Sequence, residues 1–469
     1  MISLVSPTTR PADWARVWDT NRMTYQFHST NSGQTNFQFQ FTLIYWTYDA
    51  FQTDIGTFNL YPDLYGNVEF NPSTIYKNYL SYDYDASIMT MKECLKGAGK
   101  FSLSVFEYYG TPPVKQTIGS WSGETGIYEP LKVYNGAQQF IPYDYTTLNP
   151  SGNKKWVMSG ATSGQFLTDA TEYRLGNDDL AFLYFLADRL DRPTRVRYTI
   201  YYNCNGGGIS PDKSPDYLGI GKNIYSDPYT DQATAQSSPE YNLDAYINPN
   251  PIVVPTICSA ITYSSNFVYL NLNTIQYYFP MGPYQLISGG TLTSYKDTWL
   301  YYKVDLMSGN TVLNKNPFYV YNTCKETKYG RWQVAWLNPH GGFDCFTFDR
   351  KNEINYKLEK NIYKQRLSPN PIYSTYDAGD RVYNNKSTQE IVLRSNTLTQ
   401  KEAQLLVQMA QSSRVYVITI YTYAGVKYPY GVPYIISSDS IRYEQKINDK
   451  EVYVEIKIRP ANENMIQND

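Results

Sequence analysis

Between Arg331 and Phe348 the chain reads RWQVAWLNPHGGFDCFTF, a pattern of two strands joined by a tight reversal. Trp332, Val334 and Trp336 fall on one face of the first strand, and Arg331, Gln333 and Ala335 on the other, the period of two expected of a half-buried strand. Asn338, Pro339, His340, Gly341 and Gly342 break the alternation. Pro339 has no N–H to give to a ladder, and the two glycines admit the positive φ that a reversal needs. On the return, Phe346 and Phe348 share one side, and Phe343 and Cys345 the other, so a hairpin with a longer loop is expected. His340 and Asp344 flank the glycines and offer an acid–base pair on paper. Backbone geometry alone accounts for a turn of this composition, so both are read as structural.

The remainder of the chain repeats this strand grammar. Phe37, Phe39, Phe41, Leu43 and Tyr45 alternate with Gln38, Gln40 and Thr42, then with Ile44 and Trp46, as in a strand running from a sheet edge into a buried centre. Strands are also expected at Thr24–Ser29, Lys100–Tyr109, Asp179–Ala187, Arg195–Asn203, Pro251–Cys258, Asn266–Leu272, Trp299–Leu306 and Arg414–Thr422. Residues 56–75 carry turn formers every few positions. A closing hairpin joins Ser440–Ile447 to Glu451–Arg459 through Asn448, Asp449 and Lys450, with Val452, Val454, Ile456 and Ile458 inward. One helix is expected: Thr399 and Glu402 form a capping box, and Ala403, Leu406, Met409 and Ala410 share a face beyond it. The expected fold class is therefore all-β, several β-sandwich-like units with one short packed helix near the C-terminus. A length of 469 residues suits several cores. The expected domains are an N-terminal β domain at 1–160, a central one at 161–350 with a long excursion at 205–250, and a C-terminal one at 351–469 holding the helix.

Composition narrows the function classes. Lysine and arginine number 41 against 43 acids, which is not the basic footprint of a nucleic-acid binder. The 49 tyrosines favour strands and combine an apolar ring with a polar tip, which suits surfaces that become buried on assembly. Cys94, Cys204, Cys258, Cys324 and Cys345 form no C-x-x-C and are odd in number, so they read as thiols of a reducing compartment. The opening MISLVSPTTRPADW does not read as a signal peptide, and no apolar run approaches the ~20 residues of a membrane span.

Catalytic, cofactor and metal sites are not expected. Two histidines leave little for histidine-centred chemistry, and His28 stands among Phe27, Ser29 and Thr30 without an acid or a ligand spacing. Gly206, Gly207 and Gly208 with Lys213 and Ser214 miss the spacing of a phosphate loop. Carboxylates are plentiful, but nothing singles out a glycosidase pair. Exposed aromatics keep open a second class, a carbohydrate-binding module, beside packing between strands and subunits. The 205–250 excursion holds Gly206–Gly208, five prolines and five tyrosines. It is expected either as an arm that orders on a neighbouring subunit or as a self-packed surface loop.

Four blocks, in order, resemble the virion structural proteins of phages that infect Bacteroidetes, including the crAss-like podoviruses. They are Trp18-Asp19-Thr20-Asn21 with Ser29-Thr30-Asn31, Asn36-Phe37 and Ile44-Tyr45; Phe166-Leu167-Thr168-Asp169 with the Leu183–Leu186 run; Trp336, Asn338, Gly341, Gly342, Asp344, Phe346 and Phe348; and Leu398-Thr399 to Tyr416 with Pro433–Asp439 and Ala461–Asn464. The resemblance implies a structural role without enzymatic activity. It implies a homo-oligomeric ring or hub subunit of a phage tail, of six- or more readily twelve-fold symmetry, around the channel of DNA ejection. The expected partners are copies of itself and other tail or portal-proximal virion proteins, with DNA only in passage and no membrane span. The expected location is the virion, after assembly in the host cytoplasm. A receptor- or glycan-binding protein at the tail tip is the alternative.

Overall fold

The computed structural model describes residues 2–4, 11, 14–18, 23–46, 52–116, 121–122, 131–137, 155–159, 164–187, 192–202, 261–267, 275–323, 330–364, 380–396, 398–438, 442–445 and 452–462. The 205–250 excursion, the Pro251–Cys258 strand and the Asn448–Lys450 turn lie outside them. The fold is all-β, and the helix near the C-terminus is present. The chain divides into two compact units, Met1–Lys325 with Asn338–Asp344, and Glu326–Leu337 with Cys345–Asp469. In the first unit Lys92–Glu93 pairs with Gln276–Pro280, which also pairs with Phe182–Leu186, so one three-stranded sheet joins segments far apart in sequence.

In the first unit a three-stranded sheet of Ile2–Leu4, Tyr25–Ser29 and Asn67–Phe70 shares a core with a larger sheet ordered Ala15–Arg16, Leu131–Tyr134, Ala98–Tyr109, Gln38–Trp46, Gln52–Leu60. Phe39, Phe41 and Leu43 are fully buried in that core, as their alternation requires. The strand that carries them is paired on both sides along its length, with no edge segment. Helix α1, Ser73–Tyr79, adds Tyr76 to the same core. A further sheet is ordered Glu172–Leu175, Phe318–Asn322, Trp299–Ser308, Arg195–Tyr202, Ile261–Asn266. Its last strand precedes the expected Asn266–Leu272, of which 268–272 lie outside the described residues. Helix α2, Pro283–Ser288, starts on a proline. The side-chain Oε1 of Gln285 accepts from the N–H groups of Gly282, the N-cap, and Ala181 at 3.0 and 3.1 Å, which satisfies a donor left open at the helix start. Both short helices were hidden in the sequence, since two turns show no helical period.

The second unit is one sheet ordered Phe343–Phe348, Trp332–Leu337, Val415–Tyr423, Val426–Ile436, Val452–Pro460, Asp380–Arg394, Glu353–Lys364. Helix α3, Gln400–Gln411, lies on one face of it through Ala403, Leu406 and Met409. Val334 and Trp336 from the opening hairpin, Phe348, and Val454, Ile456 and Ile458 join that core. The helix begins as its capping box prescribes. Thr399 Oγ1 accepts from Glu402 N at 3.3 Å, and Glu402 Oε2 accepts from Thr399 N at 2.7 Å.

The ends of this sheet differ from its middle. Asp380–Arg394 meets Val452–Pro460 at Ile391–Arg394, and Val426–Ile436 meets it at Tyr434–Ile436. Both are antiparallel to that strand, so they run the same way and leave the sheet at the same end. Their free parts pair with Glu353–Lys364 and Val415–Tyr423 as two-stranded ribbons. Cross-strand partners share a face. Ile354 stands opposite the fully buried Ile391, so Ile354, Tyr356, Leu358 and Ile362 continue the core face outward. Val415 and Val417 are continued in the same way by Tyr421 and Tyr423, opposite Tyr428 and Val426. All eight of these outer side chains are exposed, between 46% and 64%.

Candidate functional site

Of the blocks singled out in the sequence, the second touches the turn Asn338–Asp344 directly, and the first reaches it through Asn135. Asn338 closes the loop from inside. Its backbone N–H donates to the Gly342 carbonyl at 2.9 Å, and its carbonyl accepts from Gly341 N at 3.1 Å. Its side-chain Oδ1 accepts from His340 N at 2.9 Å and Gly342 N at 3.1 Å, while Nδ2 donates to the Leu167 carbonyl at 2.7 Å. The amide serves both roles at once through separate atoms, an oxygen with two lone pairs and an N–H donor, where aspartate would lack the donor. Gly341 has φ +80°, and a Cβ there would overlap the Asn135 carbonyl. Its own carbonyl accepts from Gln276 Nε2 at 2.8 Å. At Gly342 a Cβ would lie 2.9 Å from both the Leu167 oxygen and the Tyr184 Cβ. Pro339, with no N–H to place, gives its carbonyl to Ala137 N at 2.7 Å.

Two of the contacted residues, Leu167 and Asn135, lead to other blocks. Leu167 and Asp169 belong to the second block, and Leu167 N donates to the Tyr184 carbonyl at 2.8 Å within the run that follows it. Asn135 Oδ1 accepts from the indole N–H of Trp18 in the first block at 2.9 Å, and its Nδ2 donates to the Ser81 carbonyl at 2.6 Å. Elsewhere in the first block, the Ser29 hydroxyl and the Asn31 amide donate to the two oxygens of Glu107 at 2.6 and 2.8 Å. Glu107 is fully buried, and two such donors offset part of the cost of burying a carboxylate. Asn36, at φ +57°, donates through Nδ2 to the Gly110 carbonyl at 3.1 Å. Trp336 and Phe348 lie in the core of the second unit, with Phe346 packed against it.

His340 and Asp344 take separate partners. His340 Nε2 lies 2.9 Å from Asp169 Oδ1, off the line of a ring N–H hydrogen bond, and its ring sits 4.2 Å from that of Trp156. Asp344, 1% exposed, accepts from the Tyr173 hydroxyl at 2.8 Å. Burial pushes its carboxyl up to about 6; hydrogen bonds from Thr168, Tyr173 and Asn338 act against this, and the charge of Asp169 adds to it. His28 Nδ1 faces Asn67 Oδ1 at 3.2 Å. An open cleft of ≈ 300 Å³ beside the turn is walled by Arg16, Lys155, Thr168, Asp169, Asn316 and His340, among others. Its mixed charges give no concentrated field of one sign for a charged substrate. Among the described residues no cluster of three His, Cys, Asp or Glu could hold a metal ion, and Cys94 and Cys345 are buried and form no disulfide.

Glu107, Asn135 and Gln276 were missed by sequence reasoning. Each is a lone polar residue with nothing in its neighbours to announce burial. The one available signal lay at the other end of each contact, in the Ser-x-Asn and Asn-Pro-His-Gly-Gly runs that need partners.

No protein-family model matches the chain. None of the curated proteins matches it. Among solved structures, a chain described as the virion of a native gene transfer agent (GTA) particle is similar at 13% identity and a TM-score of 0.19, over 28% of this chain and 91% of that one.

Proposed function

We propose that the chain is a structural subunit of a phage tail that assembles with copies of itself into a ring or hub around the DNA channel, and that it has no enzymatic activity. The observation that carries this reading is the pair of ribbons. A two-stranded ribbon is at best marginally stable in water, and clustered exposed apolar side chains mark interaction surfaces. The blocks that resemble virion structural proteins support it from another side. Their polar residues are used on internal hydrogen bonds, as fold determinants are, with little left to meet a substrate. The near balance of 41 basic and 43 acidic residues suits a wall that DNA passes without being held, since a strongly basic one would retain phosphates.

Mass photometry of the purified chain is expected to show a closed oligomer, six- or twelve-fold, and proteomics of purified particles to find the chain in the tail. Its absence from particles would overturn the reading. A gel shift is expected to show no duplex binding at physiological salt. A second reading, a receptor- or glycan-binding protein at the tail tip, is favoured by the Tyr421 and Tyr423 rings, stacked at 6.5 Å and 17° on the exposed ribbon. Saccharide-specific binding on a glycan array would decide for it.

A further inference from the structure

A second exposed apolar feature lies in the first unit, at the turn between the strands Gln52–Leu60 and Asn67–Phe70. Tyr61, Leu64 and Tyr65 are 73%, 100% and 80% exposed. The turn that presents them is held firmly. Asp63 Oδ1 accepts from Tyr65 N and Asn67 N, each at 2.8 Å, and Asp63 N donates to the Asn67 carbonyl at 2.7 Å. Gly66 at φ +81° completes it, and its carbonyl accepts from Ser29 N at 3.1 Å. A fully exposed leucine on a fixed turn gains nothing from water.

This knob is acidic. From Gln52 to Tyr76 the chain carries Asp54, Asp63 and Glu69 and no lysine or arginine. The first ribbon has the opposite sign. Its outer strand, from Ile354 to Lys364, carries Lys357, Lys360 and Lys364 against Glu359 alone, and Glu359 is held by Lys357 at 3.0 Å. Lys360 and Lys364 stand in the same row as Ile354, Tyr356, Leu358 and Ile362, with Asp380 opposite Lys364. One chain therefore owns an acidic apolar knob and a basic apolar row.

We propose that the Tyr61–Leu64–Tyr65 knob of one copy seats on the Ile354–Tyr356–Leu358–Ile362 row of a second copy. The apolar side chains cover one another there, while Asp63 and Glu69 approach Lys360 and Lys364. The contact joins two different surfaces, the heterologous kind from which rings are built, and charges of opposite sign set its register. The inference rests on the self-assembly reading above.

The test uses the full chain. A photo-cross-linking benzoylphenylalanine replaces Leu64 in unlabelled protein, which is mixed with ¹⁵N-labelled protein that lacks it. The expected product joins the unlabelled knob peptide to a labelled peptide containing 354–362. Leu64→Glu and Leu358→Glu are each expected to raise the concentration at half-assembly at least tenfold, with thermal unfolding unchanged because both positions face water. A cross-link confined to one copy, or leading to another surface, would overturn the proposal. An oligomer that forms unaltered with Leu64→Glu would overturn this contact and leave self-assembly standing. A chain that stays monomeric at tens of micromolar would remove both.

Discussion

The turn at 338–344 and the ribbons at 353–364 and 415–434 are both hairpin elements, and they use their side chains in opposite ways. At the turn, Asn338 alone makes three side-chain hydrogen bonds, and its neighbours leave no room for a Cβ at two glycines. On the ribbons, apolar residues stand about half exposed among the described residues. The first arrangement fixes one conformation from within. The second leaves apolar side chains in solvent. The first therefore fixes the chain's own fold, while the second is the surface on which the proposed assembly rests.

The contrast is broken most severely at Gly341. Gly341→Ala puts a Cβ into the Asn135 carbonyl at a φ that alanine rarely adopts, and is expected to cost about 4 kcal/mol in urea unfolding. A cost near zero would mean that the turn is not the pin described.

Asp344 tests the same turn through pH. Its folded carboxyl titrates near 6 against an ordinary 3.8, so its charge destabilises the fold above that range. Stability from this group rises as pH falls through about 6 and levels off below 3.8, a span of at most about 3 kcal/mol. Asp344→Asn is expected to exceed the wild type in thermal stability at pH 7.5, and the gap should narrow as pH falls through about 6 and close only below 3.8. A gap independent of pH would refute the assignment.

In the second unit, Thr399→Ala removes one half of the capping box and is expected to cost about 1 kcal/mol, read as earlier loss of helical ellipticity on heating. At the ribbons the stability effect should nearly vanish. Tyr421→Ser and Leu358→Ser are expected to move stability by less than about 0.5 kcal/mol while altering assembly in sedimentation, which is the comparison in its sharpest form.

The strands with a clean period of two were legible, as was the capped helix, because alternation and capping are local signals. Phe39, Phe41, Leu43, Val454, Ile456 and Ile458 are buried as their spacing demands. The strand Gln52–Leu60 was not legible. With Asp54, Gly56 and Asn59 it has a weak pattern of its own, and it exists by pairing with Gln38–Trp46 along its length. The division into units was hidden for the same reason, since it depends on Lys92 and Glu93 meeting Tyr278 and Tyr277. At the turn, Asn338, Gly341 and Gly342 announced a reversal, but not that the reversal would be buried against Leu167, Asn135 and Gln276. A short polar run carries its conformation in its sequence and its destination elsewhere.

Asn338–Asp344 belongs by its contacts to the first unit, though residues of the second precede and follow it. For synthesis on the ribosome, this means that the first body is incomplete when its own last strand has emerged. The Leu167 carbonyl waits for an amide made 171 residues later, and Gln276 for the carbonyl of Gly341. A product released before that point keeps buried polar groups without partners, the condition that chaperones and proteases act on. Translation past Gly342 is thus the step that commits the nascent chain to a stable body.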